Sequence, residues 1–154
     1  MTIRKAEQKD IPQIEKLLFQ VNNVHAEGRP DLFKKDCKKY TSEELEAILQ
    51  EDSRPIFTAL DGDDLLGYAF CILQKTEGNN MQSIQTLYID DLCVDEEKRG
   101  RHIGKQLYDY VLQYARKIGC YNVTLNVWEC NEAARRFYDS CGLKVQKTGM
   151  EMIL

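Results

Sequence analysis

The spacing of apolar positions along the first third of the chain predicts one strand and two helices. A short alternating run over 2–6 is typical of a strand, and helical spacing over 14–21 follows it, with Asp10 placed to cap that helix. The periodicity then fails over 22–40, which predicts a long irregular segment. A capping box opens 41–49 and predicts a short second helix.

The rest of the chain alternates between β-rich runs and helical stripes. The runs 56–60 and 65–74 flank an Asp-Gly-Asp-Asp turn and predict a hairpin, and 85–94 predicts a third neighbouring strand. The clearest apolar stripe, over 103–118, predicts a helix with one buried face. The remaining predicted elements are a strand at 123–127, a helix capped by Asn131 that runs to Cys141, and a final hairpin around Gly149. This order predicts an α/β layered domain with a mixed sheet and helices on its faces.

Length and composition limit the class of protein. The chain has 154 residues, of which 43% are hydrophobic and 30% charged, so it is one domain's worth of an ordinary globular protein. No apolar run is long enough to span a membrane, and Met1 to Lys5 contain no apolar signal core. We therefore expect a cytoplasmic protein without a membrane partner.

Six cysteines are spread along the chain without a close pair. Such spacing does not match a zinc-binding knuckle, so we expect no metal and expect most of the six cysteines to be reduced core residues, none of them a favoured nucleophile. Their positions are 37, 71, 93, 120, 130 and 141.

The net charge of −4 conceals an asymmetry between the two parts of the chain. Residues 1–97 carry 11 basic and 20 acidic side chains, a net charge of −9, whereas 98–154 carry 10 and 5, a net charge of +5. This division argues against a nucleic-acid partner. It indicates an anionic ligand near the second part and a cationic ligand near the first.

A basic turn containing glycine lies where the predicted strand ending at Val94 gives way to the helix over 103–118. Free N–H groups, the helix dipole and four cationic side chains meet there, which favours an anion site. The P-loop and dinucleotide glycine patterns are both absent, which argues against a nucleoside triphosphate or NAD. Taken alone, the Arg-Gly pair is equally consistent with a basic helix start whose glycine serves packing.

Two ordered motifs flank the predicted helix over 103–118. The segment Arg99-Gly100-Arg101-His102-Ile103-Gly104 resembles the Arg/Gln-x-x-Gly-x-Gly/Ala pyrophosphate loop of the GNAT acetyltransferases, with His102 in place of the first glycine. The segment from Asn131 to Leu143 resembles the family's Asn-x-x-Ala-x-x-Phe/Leu-Tyr-x-x-x-Gly-Phe pattern. The resemblance implies a single N-acetyltransferase domain over 1–154, with a GNAT-like mixed, mostly antiparallel sheet flanked by helices on both faces.

The resemblance also implies acetyl-CoA as acyl donor and no metal. The backbone of Leu92, Cys93 and Val94 would pair with the pantetheine arm, and Asn131 would contact the cofactor from a helix start. We expect a negative, helical φ at His102, which turns its side chain away from the phosphates. The pyrophosphate would be held by Arg99, Gly100, Arg101, His102, Ile103, Gly104 and Lys105.

Two side chains are the catalytic candidates. By the resemblance, Tyr138 would protonate the departing thiolate. The run from Leu87 to Leu92 resembles the strand of the polyamine acetyltransferases, which makes Asp90 the candidate proton acceptor. Strand alternation predicts that Asp90 and Asp91 face opposite sides. Asn126 stands where the ribosomal-protein N-terminal acetyltransferases carry a glutamate, which argues against their substrate.

The acceptor site is less sharply defined by the sequence. Its candidate residues are His25, Arg29, Asp91, Trp128 and Glu129. For His25, an ordinary hydrogen-bonded structural role is an alternative.

We expect transfer of an acetyl group to a primary amine by direct attack in a ternary complex, with a small cationic amine favoured. A non-catalytic acyl-CoA sensor or interaction module, and a protein or peptide N-acetyltransferase, remain alternatives. The resemblance also implies a possible homodimer.

Overall fold

A five-stranded sheet forms the centre of the protein. The structure, a computed structural model, describes residues 1–154. The strands are β1 (Thr2–Lys5), β2 (Ile56–Asp61), β3 (Asp64–Thr76), β4 (Ile84–Val94) and β5 (Asn122–Leu125). They lie side by side in chain order, and every neighbouring pair is antiparallel except β4 and β5, which are parallel.

Helices cover both faces of the sheet, as the sequence predicts. They are α1 (Ile11–Gly28), α2 (Ser42–Leu49), α3 (Ile103–Lys117) and α4 (Glu132–Ser140). One apolar cluster packs α1 and α2 on one face through side chains such as Ile14 and Leu45. A second cluster packs α3 on the other face through Leu107 and Val111, and Phe137 of α4 packs against it. The protein is therefore a single mixed α/β domain.

The first helix is longer than its apolar pattern predicts. It continues through Gly28, so the expectation that the irregular segment starts at residue 22 is wrong. Ala26 is buried and extends the inward stripe, which two asparagines interrupt in the sequence. Pro30 then excludes further helix for the preceding residue. Asp10 precedes α1 but does not cap it, because its carboxylate accepts hydrogen bonds from Arg4 and from the Glu7 amide.

The predicted C-terminal hairpin is not formed. Residues 143–154 contain no strand or helix, although Met150, Met152 and Leu154 alternate as a strand would. A strand needs a partner, and this segment has none within its own chain.

The six cysteines are all free thiols. Cys71 and Cys93 are core residues, and burial raises the pKa of each to about 12, which keeps them protonated. No group of three metal-ligating side chains occurs. None of the helices is both long and apolar enough to span a membrane.

Candidate functional site

The parallel pair β4 and β5 separates part of the way along the sheet. Their pairing runs from Thr86 with Asn122 to Ile89 with Leu125 and stops there. β4 continues to Val94, paired on its other side with β3 alone. The backbone edge over 90–94 is therefore open, and it includes Leu92, Cys93 and Val94, the residues predicted to pair with pantetheine.

A β-bulge in β4 lies where this open edge begins. Phe70 pairs with Asp91 and Cys71 pairs with Ile89, so Asp90 is an extra residue in the strand. An extra residue resets the alternation of side chains. Asp90 and Asp91 consequently both reach groups on the face covered by α1 and α2, and the predicted opposite orientation is wrong.

Asp90 is held by the segment between α1 and α2. Its carboxylate accepts hydrogen bonds from Lys39 Nζ at 2.8 Å and from the Tyr40 hydroxyl at 2.8 Å. The Tyr40 hydroxyl in turn accepts a hydrogen bond from Arg54 at 3.0 Å, and its ring stacks on Phe70. The negative charge of Asp90 is thus paired with the half-exposed Lys39 side chain.

Asp91 lies in a different environment. Its carboxylate accepts a 2.6 Å hydrogen bond from the Tyr68 hydroxyl, and it forms no ion pair. Burial raises the pKa of Asp91 to about 6, although the hydrogen bond from Tyr68 and the charge of Lys39 act in the opposite direction. A carboxylate with a pKa near neutrality is suited to accept a proton.

Tyr138 extends from α4 towards the same region. Burial, followed by the negative charge of Asp91, raises the pKa of Tyr138 well above its ordinary value, so the hydroxyl keeps its proton at neutral pH. That hydroxyl has no hydrogen-bond partner in the chain. Since every fully buried side-chain polar atom does have a partner, the Tyr138 hydroxyl is in contact with solvent. Tyr138 therefore has a proton available to donate.

A set of unpaired backbone donors follows the open edge of β4. The N–H groups from Arg99 to Lys105 donate to no acceptor in the chain. Gly100 and His102 both have left-handed φ angles, +88° and +56°, which turn the chain into α3. The expected negative φ at His102 is therefore wrong. Such a turn at a helix N-terminus collects N–H groups into an anion-binding concavity.

The cationic side chains of this loop differ in their pairing. Lys98 and Arg99 form no salt bridge, while Arg101 lies 3.5 Å from Asp61 and Lys105 pairs with Asp109 one turn along α3. The loop thus has free positive charge at Lys98 and Arg99.

Gly104 and Asn131 have structural roles beside their predicted ones. A Cβ on Gly104 would lie 3.3 Å from the Phe137 ring, so the glycine permits α3 and α4 to pack closely. The Asn131 side-chain oxygen caps α4 by accepting the Ala134 N–H at 3.1 Å. Its amide NH₂ group remains free for a ligand.

Two of the predicted acceptor residues, His25 and Trp128, contact the same aromatic side chain near the C-terminal end of α1. His25 lies against Phe33, and Phe33 meets Trp128 edge to face, with ring centroids 5.0 and 5.3 Å apart. Burial, followed by the charge of Lys39, lowers the pKa of His25, which favours the neutral imidazole at neutral pH. Glu129 is exposed and lines a 260 Å³ cavity beside Trp128.

Arg29 is less available than the sequence predicts. Its guanidinium is paired with Asp31 and with Glu151 near the C-terminus. A larger cavity of 340 Å³ surrounds the Arg4–Asp10 ion pair instead and contains none of the predicted site residues.

The sequence profile described as the Acetyltransferase (GNAT) family matches residues 18–143. The chain belongs to the GNAT acetyltransferase family. Its similarity to curated relatives is partial: it is 32% identical over 56 residues to glucosamine 6-phosphate N-acetyltransferase of Arabidopsis thaliana, covering 36% of each chain. It is 31% identical over 106 residues to mycothiol acetyltransferase of Geodermatophilus obscurus, covering 67% of this chain and 34% of that one. The matched segments thus span about a third of these relatives.

Solved structures match over the full length. The X-ray structure of a tetramutant of the BH1408 protein from Bacillus halodurans is 31% identical, with a TM-score of 0.95 and complete coverage of both chains. The fold is also similar to aminoglycoside N-acetyltransferase AAC(6')-Iy in complex with CoA, at 18% identity and a TM-score of 0.73, over 99% of this chain and 98% of that one. Both comparisons agree with a GNAT fold.

Sequence reasoning missed several residues of this candidate site. Lys39, Tyr40 and Phe33 lie in the segment between α1 and α2, which carries no periodic signal. Tyr68 lies in a strand that the sequence marks only as apolar. Its hydroxyl, in an otherwise apolar run, was the one available signal of a buried polar contact.

Proposed function

We propose that this protein transfers an acetyl group from acetyl-CoA to a primary amine by direct attack in a ternary complex. The observation that carries the proposal is the continuity of the open β4 edge. This edge leads from Asp91 to the unpaired N–H groups over 99–105, and Asp91 is close enough to Tyr138 to raise its pKa. One extended ligand could therefore meet an anion site at one end and acid–base groups at the other.

The cofactor half of the proposal uses the loop and the strand edge. The edge over 90–94 is roughly 13 Å long at the rise of a β-strand, and its free N–H and C=O groups suit the amides of pantetheine. The pyrophosphate would accept hydrogen bonds from the loop amides and attract Lys98 and Arg99, which have no other partner. The free NH₂ group of Asn131 would contact the cofactor from the start of α4.

Two residues of the chain, Asp91 and Tyr138, carry the proton transfers of the chemical step. The acceptor arrives as an ammonium group and gives one proton to the Asp91 carboxylate. The neutral nitrogen attacks the thioester carbonyl, a C–N bond forms, and the C–S bond breaks. Tyr138 gives its proton to the departing thiolate and takes up the second proton, which the acetylated nitrogen loses as the amide forms, while Asp91 releases the first proton to solvent. The products are the N-acetylated amine, CoA thiol and one proton.

Asp91 fits the role of proton acceptor better than Asp90, the residue that the strand resemblance indicates. Asp90 is paired with Lys39 and hydrogen-bonded to Tyr40, so an ammonium group would have to compete with a resident cation. Asp91 has no cationic partner, and its pKa of about 6 lies near working pH. We assign Asp90 the role of anchoring the segment between α1 and α2 over the site.

We propose a small cationic amine as the acceptor. The support is the net charge of −9 over residues 1–97, together with Asp91 at the site. The neutral His25, Trp128 and Glu129 would form the outer wall of the acceptor cleft. Related acetyltransferases are named for amino-sugar acceptors, glucosamine 6-phosphate and aminoglycosides, so amino sugars belong among the candidates with polyamines.

A thiol-release screen tests the proposal. Purified protein is mixed with acetyl-CoA and with polyamines, amino sugars, aminoglycosides, neutral and acidic amino acids, and peptides with free N-termini. We expect CoA release to be fastest with a small cationic amine. Fastest release with peptides would indicate a protein N-acetyltransferase, and CoA binding without release across the panel would indicate a sensor module.

A further inference from the structure

Lys39 is a fixed cationic group beside the two carboxylates of the candidate site. It lies in the irregular segment between α1 and α2, and its Nζ donates hydrogen bonds to both carboxylate oxygens of Asp90, at 2.8 and 2.9 Å. The Lys39 side chain is 50% exposed, whereas the Asp90 side chain is 11% exposed. The charge of Asp90 is therefore mostly withdrawn from solvent and faces a resident ammonium group.

Aromatic neighbours restrain the position of Lys39. Its Nζ lies 5.4 Å from the centre of the Tyr40 ring, within the range of a cation–π contact. Tyr40 is itself held by stacking on Phe70 and by the hydrogen bonds of its hydroxyl with Asp90 and Arg54. Lys39 is thus a built part of the site, unlike a lysine that moves freely on the surface.

The charge of Lys39 acts on Asp91 as well as on Asp90. Burial raises the pKa of Asp91, and the charge of Lys39 opposes that rise. Burial acts to lower the pKa of Lys39, but the hydrogen bond with Asp90 and the charges of Asp90 and Asp91 raise it above its usual value. Arg54 donates to the Tyr40 hydroxyl and forms no salt bridge with either carboxylate. Above pH 6, two carboxylates and one ammonium group therefore leave a single negative charge, that of Asp91.

We propose that Lys39 is a specificity-determining residue that restricts the acceptor to an amine with one positive charge near the reacting nitrogen. This inference rests on the proposed acetyl transfer and narrows its cationic acceptor. The ammonium group of the acceptor pairs with Asp91, the carboxylate without a cationic partner. A second ammonium group a few carbons away would need Asp90, where Lys39 repels it. A diamine thus lacks the second partner that two free carboxylates would offer.

The charge preference is measured with two amines that share one carbon chain. Butylamine carries one ammonium group, and 1,4-diaminobutane carries two. Each amine is titrated into the full-length protein in excess CoA, and NMR shifts of the protein amides give its dissociation constant. Because CoA carries no acetyl group, binding is measured without turnover. We expect the parent protein to bind butylamine more tightly than the diamine.

A set of charge variants separates the charge of Lys39 from its structural role. Lys39→Met keeps a side chain of similar length and leaves Asp90 unpaired, so the preference should move towards the diamine by roughly 10-fold. Asp90→Asn leaves Lys39 unpaired and should move the preference further towards butylamine. The double variant Lys39→Met, Asp90→Asn restores a neutral pair, so its preference should return to that of the parent. Loss of order in the segment would instead shift all three variants in the same direction.

Lys38→Met is the matched control. Lys38 precedes Lys39 in the same segment but pairs with Glu15, so this variant should keep the parental preference. An unchanged preference in Lys39→Met, a double variant that behaves as Lys39→Met does, or a parent that binds the diamine more tightly or binds neither amine would each overturn the inference.

The thiol-release screen reports separately on the proposed acetyl transfer. Turnover of amines without the predicted charge preference would overturn the role of Lys39 alone. The predicted preference without any turnover would leave the charge selection by Lys39 in place and overturn the acetyl transfer.

Discussion

The Tyr68 hydroxyl donates a 2.6 Å hydrogen bond to the Asp91 carboxylate, on the face of the sheet that α1 and α2 cover. This contact depends on the bulge at Asp90, because a regular strand would turn Asp91 to the other face. The bulge therefore places the carboxylate with the raised pKa beside the point where β4 and β5 separate.

The pH dependence of turnover is predicted to follow Asp91. A base must be deprotonated, so kcat/KM should rise with pH through about 6 and level off above it. Asp91→Asn should lower kcat/KM by roughly 10²-fold or more and abolish that rise. The matched variant Asp90→Asn should keep the rise near pH 6. If the rise is lost in Asp90→Asn and kept in Asp91→Asn, the assignment of the two carboxylates is reversed.

The same substitution is predicted to stabilise the fold at neutral pH. The folded pKa of Asp91 is about 6, above the ordinary 3.8, so stability falls as the pH rises from 3.8 to 6 and the full penalty applies above 6. Asp91→Asn removes that penalty, while the amide oxygen still accepts the hydrogen bond from Tyr68. Thermal melts should show a higher Tm for the variant at pH 7, a gain that shrinks as the pH falls through 6 and disappears below about 3.8. An equal or lower Tm at pH 7 contradicts the raised pKa.

Tyr138→Phe keeps the ring and removes only the hydroxyl proton. We expect kcat to fall by roughly 10²-fold while acetyl-CoA affinity is unchanged, the pattern for an interaction made mainly in the transition state. Tyr121→Phe, at an exposed tyrosine, is the control for loss of a hydroxyl. A thermal melt of each variant distinguishes a loss of catalysis from a loss of folding stability. If Tyr138→Phe keeps the parental kcat while the chemical step is rate-limiting, the role of Tyr138 is packing and not proton donation.

Arg99→Ala tests the anion site at the start of α3. Arg99 has no ion-pair partner in the chain, so its removal leaves the fold intact and removes a cation from the loop. Hydrogen bonds to charged groups contribute about 1.5–3 kcal/mol, so CoA binding should weaken by roughly 10- to 100-fold. Arg116→Ala, in the last turn of the same helix, should bind CoA as the parent does. Calorimetric titration with CoA measures both, and equal affinities would remove Arg99 from the site.

Local sequence signals predicted much of this fold correctly. The apolar stripe of α3, the hairpin of β2 and β3, and the Asn131 cap of α4 depend on residues close together in the chain, and the structure confirms all three. The family resemblance, carried by two short motifs, is confirmed by the profile match.

The errors arise where distant parts of the chain decide the outcome. The bulge at Asp90 is set by the register with β3, which alternation within β4 does not reveal. The hairpin predicted around Gly149 fails because strand-like residues form a strand only beside a partner. The left-handed φ at His102 follows from the turn between β4 and α3, a geometry that glycine would adopt without strain and histidine adopts at a cost of about 1–3 kcal/mol.

Transfer of a labelled acetyl group tests the central claim most directly. The protein is incubated with acetyl-CoA carrying ¹³C in the acetyl carbonyl and with the best cationic amine, and NMR follows every labelled species over time. We predict that the label moves from the thioester to an N-acetyl amide in a 1:1 ratio with released CoA thiol. The double variant Asp91→Asn, Tyr138→Phe should transfer the label roughly 10²-fold more slowly or slower still. Label that remains on CoA while CoA binds, or that appears only as free acetate, would contradict the account.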